Sequence, residues 1–189
     1  MRFIFKTDYA QDLQIVKHSG QAFWYGLLVL AMLAAPLWAG DYWLSQISFV
    51  LIYAVAGLGL MVLSGFTGLA SIGHAAFLGV GAYVQAVLSA KGWPFPLTMA
   101  LAAGLSAAVG AVVGLPALWV KGIYLAIATL SFGFIVEEVL ARWESVTKGN
   151  AGMSVTSPQF VGADLGSSEA FYYIALGTTV LVTLGVLNL

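Results

Sequence analysis

The sequence contains no cysteine and very few charged residues. Without cysteine the chain has no disulfide, no thiolate metal ligand and no cysteine nucleophile. Only 8% of its residues are charged, whereas soluble domains carry roughly 25%. Too few charges remain to build a water-facing surface, so lipid must be the main solvent of the chain. The net charge of −1 gives no electrostatic basis for binding nucleic acid.

The common catalytic and cofactor motifs are also missing. There is no His-Glu-x-x-His, no Gly-x-Ser-x-Gly and no phosphate loop, because the glycine-rich segment lacks the Lys-Ser/Thr that ends such a loop. We therefore expect no enzyme, no cofactor and no metal site in this chain. The first 20 residues carry scattered charges and no apolar core, so they do not resemble a cleaved signal peptide.

Long apolar runs fill the rest of the sequence. Hydrophobic residues make up 61% of the chain. A helix that crosses a bilayer needs about 20 apolar residues, whereas barrel strands alternate over about 10. The runs here are long and do not alternate, which predicts an all-α, polytopic transmembrane bundle at 22–189 after an N-terminal tail at 1–21. The last run has no polar flank, which indicates truncation at the C-terminus. The predicted helices, about six, are 22–40, 43–63, 74–90, 97–115, 122–140 and 170–189.

The basic residues predict the orientation of the chain. Arg2, Lys6 and Lys17 precede the first helix, whereas the turn at 41–42 has no basic residue. Because cytoplasmic segments are enriched in Lys and Arg, we expect the N-terminus in the cytoplasm. Six crossings then place the polar loop at 141–169 on the outer side.

A glycine-rich interruption is predicted at 64–73, inside an uncharged stretch that is too long for one crossing. A broken membrane helix leaves backbone amides without partners unless protein or a watery cavity receives them. Such breaks build substrate sites in many transporters. Two interpretations stay open, a tight hairpin at the membrane surface and a lining of the substrate pathway. The candidate lining residues are Ser64, Gly65, Thr67, Gly68, Ser71, Gly73 and His74.

Two other features have competing interpretations, and a third has one. His74 is either a proton relay or a hydrogen-bonded residue at a helix end. Glu137 and Glu138, with Arg142 four residues after the second, form either a solvated helix terminus or a charged rim that docks a partner protein. Small residues recur every four positions along the fourth predicted helix and predict a helix-packing ridge. The ridge consists of Ala102, Ser106, Gly110 and Gly114.

Two segments resemble a known family. They are GLGLMVLSGFTGLASIGHAAFLGVGAY at 57–83 and LPALWVKGIYLAIATLSFGFIVEEVL at 115–140. Both are similar, in the same order, to blocks of the M-type (LivM) permease subunits of branched-chain amino acid ABC importers. The polar stretch from Trp143 to Met153 resembles the region that follows the second block. The resemblance covers roughly 45–160.

The resemblance implies a type II importer permease in the cell inner membrane that translocates branched-chain or related amino acids, amides or urea. Such a subunit pairs with a second homologous permease, with two cytoplasmic ATPase subunits that bind ATP and Mg, and with a periplasmic amino-acid-binding protein. The family's cytoplasmic coupling loop is not found in this sequence. Two other classes stay open, an ion-coupled secondary transporter and a non-transporting membrane assembly subunit.

Overall fold

Helices make up nearly all of the chain that the structure describes. The computed structural model describes residues 19–68, 71–117, 119–120, 122–155, 159–160, 163–164 and 166–189. Most of the predicted tail at 1–21 lies outside these residues, so the division into tail and transmembrane domain stays a prediction. The helices are α1 (Ser19–Trp38), α2 (Asp41–Thr67), α3 (His74–Ala90), α4 (Phe95–Ala117), α5 (Ile123–Arg142), the short α6 (Glu144–Thr147) and α7 (Ser168–Leu187).

The predicted fold class is confirmed. The described chain has six helices of 17 to 27 residues. By length and composition, α2, α4, α5 and α7 can each cross a membrane, and α1 and α3 provide shorter apolar helices. Large apolar side chains cover the outside, as in Leu37, which is 88% exposed, and Trp119, which is 85% exposed. An apolar outer surface suits lipid, so the chain is a multi-pass membrane protein.

The chain divides into two compact units at Leu44. The first unit contains α1 and the first turn of α2. In the second unit, α3 packs along α4 and also against α5. The second unit holds all the candidate site residues.

The predicted end of the second helix is wrong by four residues. The helix α2 continues through 64–67, because its hydroxyl side chains bond within it. Ser64 donates a hydrogen bond to the Leu60 carbonyl at 2.9 Å, and Thr67 donates one to the carbonyl four residues earlier. Hydroxyls that bond to the preceding turn can stay inside a helix. The helix ends at Gly68, whose φ of +66° favours glycine. The interruption therefore covers 68–73, and its residues 69–70 lie outside the described chain.

Other predicted boundaries also change. Pro116 does not end the fourth helix, since α4 continues to Ala117 with the proline as its second-last residue; the proline removes one amide bond, but only one helical residue follows it. The fifth helix reaches Arg142 instead of 140. The predicted loop at 141–169 contains α6, a 3₁₀ turn and an antiparallel pair of two-residue strands. These three are the 3₁₀ turn Gly149–Ala151, β1 (Gln159–Phe160) and β2 (Ala163–Asp164).

A buried threonine organises the start of that region. Thr147 is 1% exposed, and its hydroxyl contacts the carbonyl of Leu140 at 2.6 Å and that of Trp143 at 2.8 Å. The same oxygen accepts a hydrogen bond from the Gly149 amide at 3.2 Å. The side chain thus replaces backbone bonds where the chain leaves α5. A single side chain that has no distinctive pattern in the sequence thus links the end of α5 to the start of the 3₁₀ turn.

Candidate functional site

The C-terminal end of the interruption lies directly on the backbone of α5. A Cβ added to Gly73 would be 1.9 Å from the Thr129 carbonyl oxygen, so only glycine fits there. The Ile72 amide donates a hydrogen bond to the Thr129 hydroxyl at 3.1 Å, and that hydroxyl donates one to the Ala126 carbonyl at 3.0 Å. One amide freed by the break is therefore satisfied by a neighbouring helix, as an apolar surrounding requires.

The other candidate lining residues lie in different environments. Ser64, Gly65 and Thr67 are exposed on the last turn of α2. The two hydroxyls among them donate to their own helix. Gly68 is exposed, Ser71 is half-buried and Gly73 is buried. The structure thus separates the predicted set into an exposed group at the end of α2 and a packed group at the start of α3.

His74 is the first residue of α3 and belongs to the packed group. Its ring lies against α2 at Gly59, where an added Cβ would be 3.3 Å from Nε2. The ring also contacts Phe77 edge-on, with the ring centres 6.0 Å apart. The Nδ1 atom is buried and has no hydrogen-bond partner within the described part of the chain. A buried polar nitrogen without a partner is costly, which makes this atom a candidate for contact with a ligand or water.

His74 lines an open cavity of about 500 Å³ between α2, α3, α4 and α7, which we call the four-helix cavity. Most of the lining is apolar, and of the described residues that line it, four have a side chain with a nitrogen or oxygen atom. They are His74 on α3, Ser106 on α4, and Thr178 and Thr179 on α7. The apolar part of the wall includes Ile52, Val55, Phe77, Met99, Phe171 and Ile174.

The three hydroxyls of the cavity all donate to backbone carbonyls. Ser106 donates across to Phe77 of α3 at 3.2 Å. Thr178 donates to its own helix at 2.8 Å. Thr179 donates to its own helix at 2.8 Å and approaches the Leu51 carbonyl of α2 at 3.4 Å. Since each proton is used, these oxygens offer the cavity mainly lone pairs that can accept hydrogen bonds.

The predicted ridge on α4 faces α3 in its middle part. A Cβ on Gly81 would be 3.0 Å from the Ser106 hydroxyl, and one on Gly110 would be 3.7 Å from the Phe77 ring. Ala102 is 7% exposed and lines the four-helix cavity. Gly114 has space around it, since an added Cβ would meet no atom within 4 Å.

The charged residues of α5 form a separate group. Glu137 and Glu138 are exposed on the last two turns, and Arg142 forms an ion pair with Glu138 through its Nε atom. They border an open groove of about 1240 Å³ that also involves Glu144 and Asn150. None of these five residues lines the four-helix cavity. Among the described residues, no three His, Asp or Glu side chains are grouped to hold a metal ion.

Three residues of the site were not anticipated from the sequence. Thr129 was missed although it stands four residues before Gly133, the small-residue spacing that identified the ridge on α4. Thr178 and Thr179 form the only adjacent threonine pair in the sequence and interrupt an apolar run. Polar residues inside a membrane helix are a signal that could have identified them.

Comparisons with known proteins agree on one family. The family model described as a branched-chain amino acid transport system permease component matches residues 42–189. The high-affinity branched-chain amino acid transport system permease protein LivM of Salmonella typhimurium (strain LT2) is 36% identical over 148 residues, which is 77% of this chain and 35% of that protein. The protein of the same name from Escherichia coli (strain K12) is 36% identical over 144 residues, covering 75% of this chain and 34% of the relative. The chain thus spans about a third of the length of these relatives. No solved structure matches.

Proposed function

The chain belongs to the family of branched-chain amino acid transport permease components, and from this premise we propose that it forms part of the membrane-spanning permease of an ABC importer for branched-chain amino acids. The observation that carries the proposal is the attachment of the interruption to α5 through Gly73 and Ile72. A break held by a neighbouring helix is the arrangement that transporters use to place backbone groups next to a substrate. The two relatives carry names that state the same transport activity.

In the proposed mechanism, this chain forms one side of the substrate pathway and moves during the transport cycle. A periplasmic amino-acid-binding protein delivers the substrate to the outer face. Two cytoplasmic ATPase subunits bind ATP and Mg, and their cycle alternates access to a pathway between this chain and a second homologous permease subunit. In this scheme the chain lies in the cell inner membrane with its N-terminus in the cytoplasm. The pathway passes the interruption, with Ser71, Gly73 and His74 on its packed side.

The charge distribution favours ATP-driven import over an ion-coupled mechanism. Secondary transporters need ionisable residues within the membrane to bind the coupling ion. Among the described residues, the acidic side chains of the long helices lie in the first turns of α2 and α7 and near the end of α5. Among the described residues that line the four-helix cavity, His74 is the only one with an ionisable side chain.

Reconstitution of the complete importer tests the proposal. We expect proteoliposomes that contain both permeases and the ATPases, supplied with the binding protein, to take up radiolabelled leucine only with internal ATP and Mg. A protonophore and a sodium ionophore should leave this uptake intact. Uptake that ignores ATP and disappears with an ionophore would identify a secondary transporter. A fully assembled complex with no uptake of leucine, isoleucine or valine would favour an assembly subunit.

A further inference from the structure

The four-helix cavity has the size and composition of a small-molecule site. Its volume of about 500 Å³ lies within the roughly 300–1000 Å³ of typical ligand pockets. Such pockets combine an apolar wall with a few placed polar groups. Four helices contribute here, and none of the described residues of the interruption lines the cavity, although His74, which follows it, does. The cavity is therefore a feature distinct from the break itself.

The wall of the cavity matches an apolar side chain. Aliphatic and aromatic residues from all four helices cover most of it, among them Ile52, Met99 and Ile174. Burial of each methylene of a ligand is worth about the same as burial in a protein core, so a branched side chain gains more than a methyl group. Among the described residues, the wall contains no acidic side chain and no Lys or Arg. A ligand with a charged side chain would therefore lose its hydration without receiving a partner charge.

The polar groups of the cavity suit the backbone of a free amino acid. His74 lines the cavity, and its buried Nδ1 has no partner among the described residues, so binding that turns the imidazole toward the cavity would supply one. His74 begins α3, and the positive end of that helix's dipole also favours a carboxylate nearby. The hydroxyls of Ser106, Thr178 and Thr179 have lone pairs left over, and these can accept hydrogen bonds from an ammonium group.

We propose that the four-helix cavity holds the amino acid during its passage, with the branched side chain against the apolar wall and the substrate's backbone bonded to His74. This assignment rests on the proposed function. It makes the cavity a site of selection inside the permease, in addition to any selection by a binding protein. His74 bonds to the backbone groups that all amino acids share, and the apolar wall contacts the side chain, which differs between them.

Filling the cavity tests the role of the wall. Ala103 and Ala108 are both exposed alanines of α4, but only Ala103 lines the cavity. In the complete importer we expect Ala103→Leu to raise the KM for leucine relative to that for alanine by about tenfold, since one methylene is worth about 10- to 200-fold in an apolar pocket. Ala108→Leu should leave the ratio unchanged. An unchanged ratio in a transporting Ala103→Leu complex would refute the assignment.

Replacing the imidazole tests the role of His74. His74→Phe keeps a ring against Gly59 but removes both nitrogens. We expect it to raise the KM for leucine and alanine together by about tenfold, as loss of a hydrogen bond to a charged group predicts, with little change in their ratio. His74→Gln, which retains a donor, should recover part of the affinity. A variant with wild-type KM values, or one in which only assembly and thermal stability fall, would refute direct contact.

Occupancy of the cavity can be measured without transport. The chain has no cysteine, so Thr178→Cys introduces a single thiol into this part of the complete importer. Saturating leucine should slow its reaction with N-ethylmaleimide about fivefold, because bound substrate would cover the wall of the cavity. Thr183→Cys, on the same helix outside the cavity, should react at one rate with or without leucine. Protection by phospholipid acyl chains but not by leucine would show that the cavity holds lipid and would overturn the proposal.

Different results would refute the proposed function and the cavity assignment. Absence of ATP-dependent leucine uptake by the wild-type complex refutes the proposed function. Normal wild-type uptake together with an unchanged substrate ratio in Ala103→Leu, or with no leucine protection at Thr178→Cys, refutes only the cavity assignment.

Discussion

Substitution of Gly73 by alanine should destabilise the protein more than the same substitution at any other described glycine, because its added Cβ would make the closest contact. The added Cβ would lie 1.9 Å from the Thr129 carbonyl oxygen and 2.7 Å from its carbon. Ordinary van der Waals contact begins at 3.4 Å, whereas the added Cβ would lie 1.9 Å from the oxygen. The interruption and α5 must therefore separate by about 1.5 Å, the difference between these two distances. The neighbour is backbone, which cannot rotate away as a side chain can.

The cost of this separation has two parts. Overpacking of a tight contact costs about 1–3 kcal/mol. A shift of this size also breaks the bond between the Ile72 amide and the Thr129 hydroxyl, now 3.1 Å long, which is worth about 1 kcal/mol. Together they predict a loss of about 2–4 kcal/mol, or a fall in melting temperature of roughly 5–15 °C for a domain of this size. Leucine uptake should fall together with the melting temperature, because the interruption would lose its contact with α5.

Gly65→Ala is the matched control. Gly65 lies in α2 next to the same interruption, and an added Cβ would meet no atom within 4 Å. Since alanine is favoured over glycine inside a helix by about 0.5–1 kcal/mol, this variant should be as stable as the wild type or slightly more so. Thermal unfolding of both variants in detergent, followed by fluorescence, gives the comparison. Equal melting temperatures for Gly73→Ala and the wild type would refute the close packing of the interruption on α5.

Three further predictions follow from other contacts. Gly81→Ala should destabilise the protein by about 1–2 kcal/mol by crowding the Ser106 hydroxyl at 3.0 Å. Adding Ser106→Ala should recover part of this loss of stability. Additive effects of the two substitutions in a double-mutant cycle of unfolding free energies would contradict the contact. Gly149→Ala should cost about 2 kcal/mol, because it combines a φ of +60° with atoms 3.0 Å away. Gly152→Ala should also cost about 2 kcal/mol although its surroundings are open, because its φ of +72° and ψ of +172° lie in a region that only glycine adopts readily; a wild-type melting temperature for either variant would contradict this. Glu138→Gln should change the unfolding energy by at most about 0.5 kcal/mol, because its ion pair is exposed; a loss of several kcal/mol would show that the group is buried in the assembled importer.

The fold was largely predictable because its signals are local. The charge-free apolar runs predicted helices in lipid, and α3 has the bounds that the sequence predicted, 74–90. Helix ends were less predictable when hydroxyl residues were involved. Ser64 and Thr67 are residue types that are common at helix breaks, but the hydroxyl of each bonds to the preceding turn and the residue remains helical. Thr147 likewise organises a region that composition alone predicted to be a loop.

The candidate site was less predictable, because it depends on contacts between distant parts of the chain. The sequence predicted a break before His74 and the importance of its glycines. It could not show which glycine has no room for a side chain, since that depends on how α5 approaches. Gly65 and Gly73 are both glycines of the predicted interruption and look alike in the sequence. Only Gly73 lies against the backbone of another helix. The four-helix cavity draws residues from helices as distant as α2 and α7, and no spacing along the chain identifies such a set.

The sequence by itself determined the solvent, the helical fold and the family of this protein, because charge content, apolar run length and local motifs are properties of the chain order. The tertiary structure alone decided where the break is supported, which nitrogen of His74 is left without a partner, and where space remains between the helices. Those properties arise from distances between residues that are far apart in sequence, and they are fixed only when the helices pack.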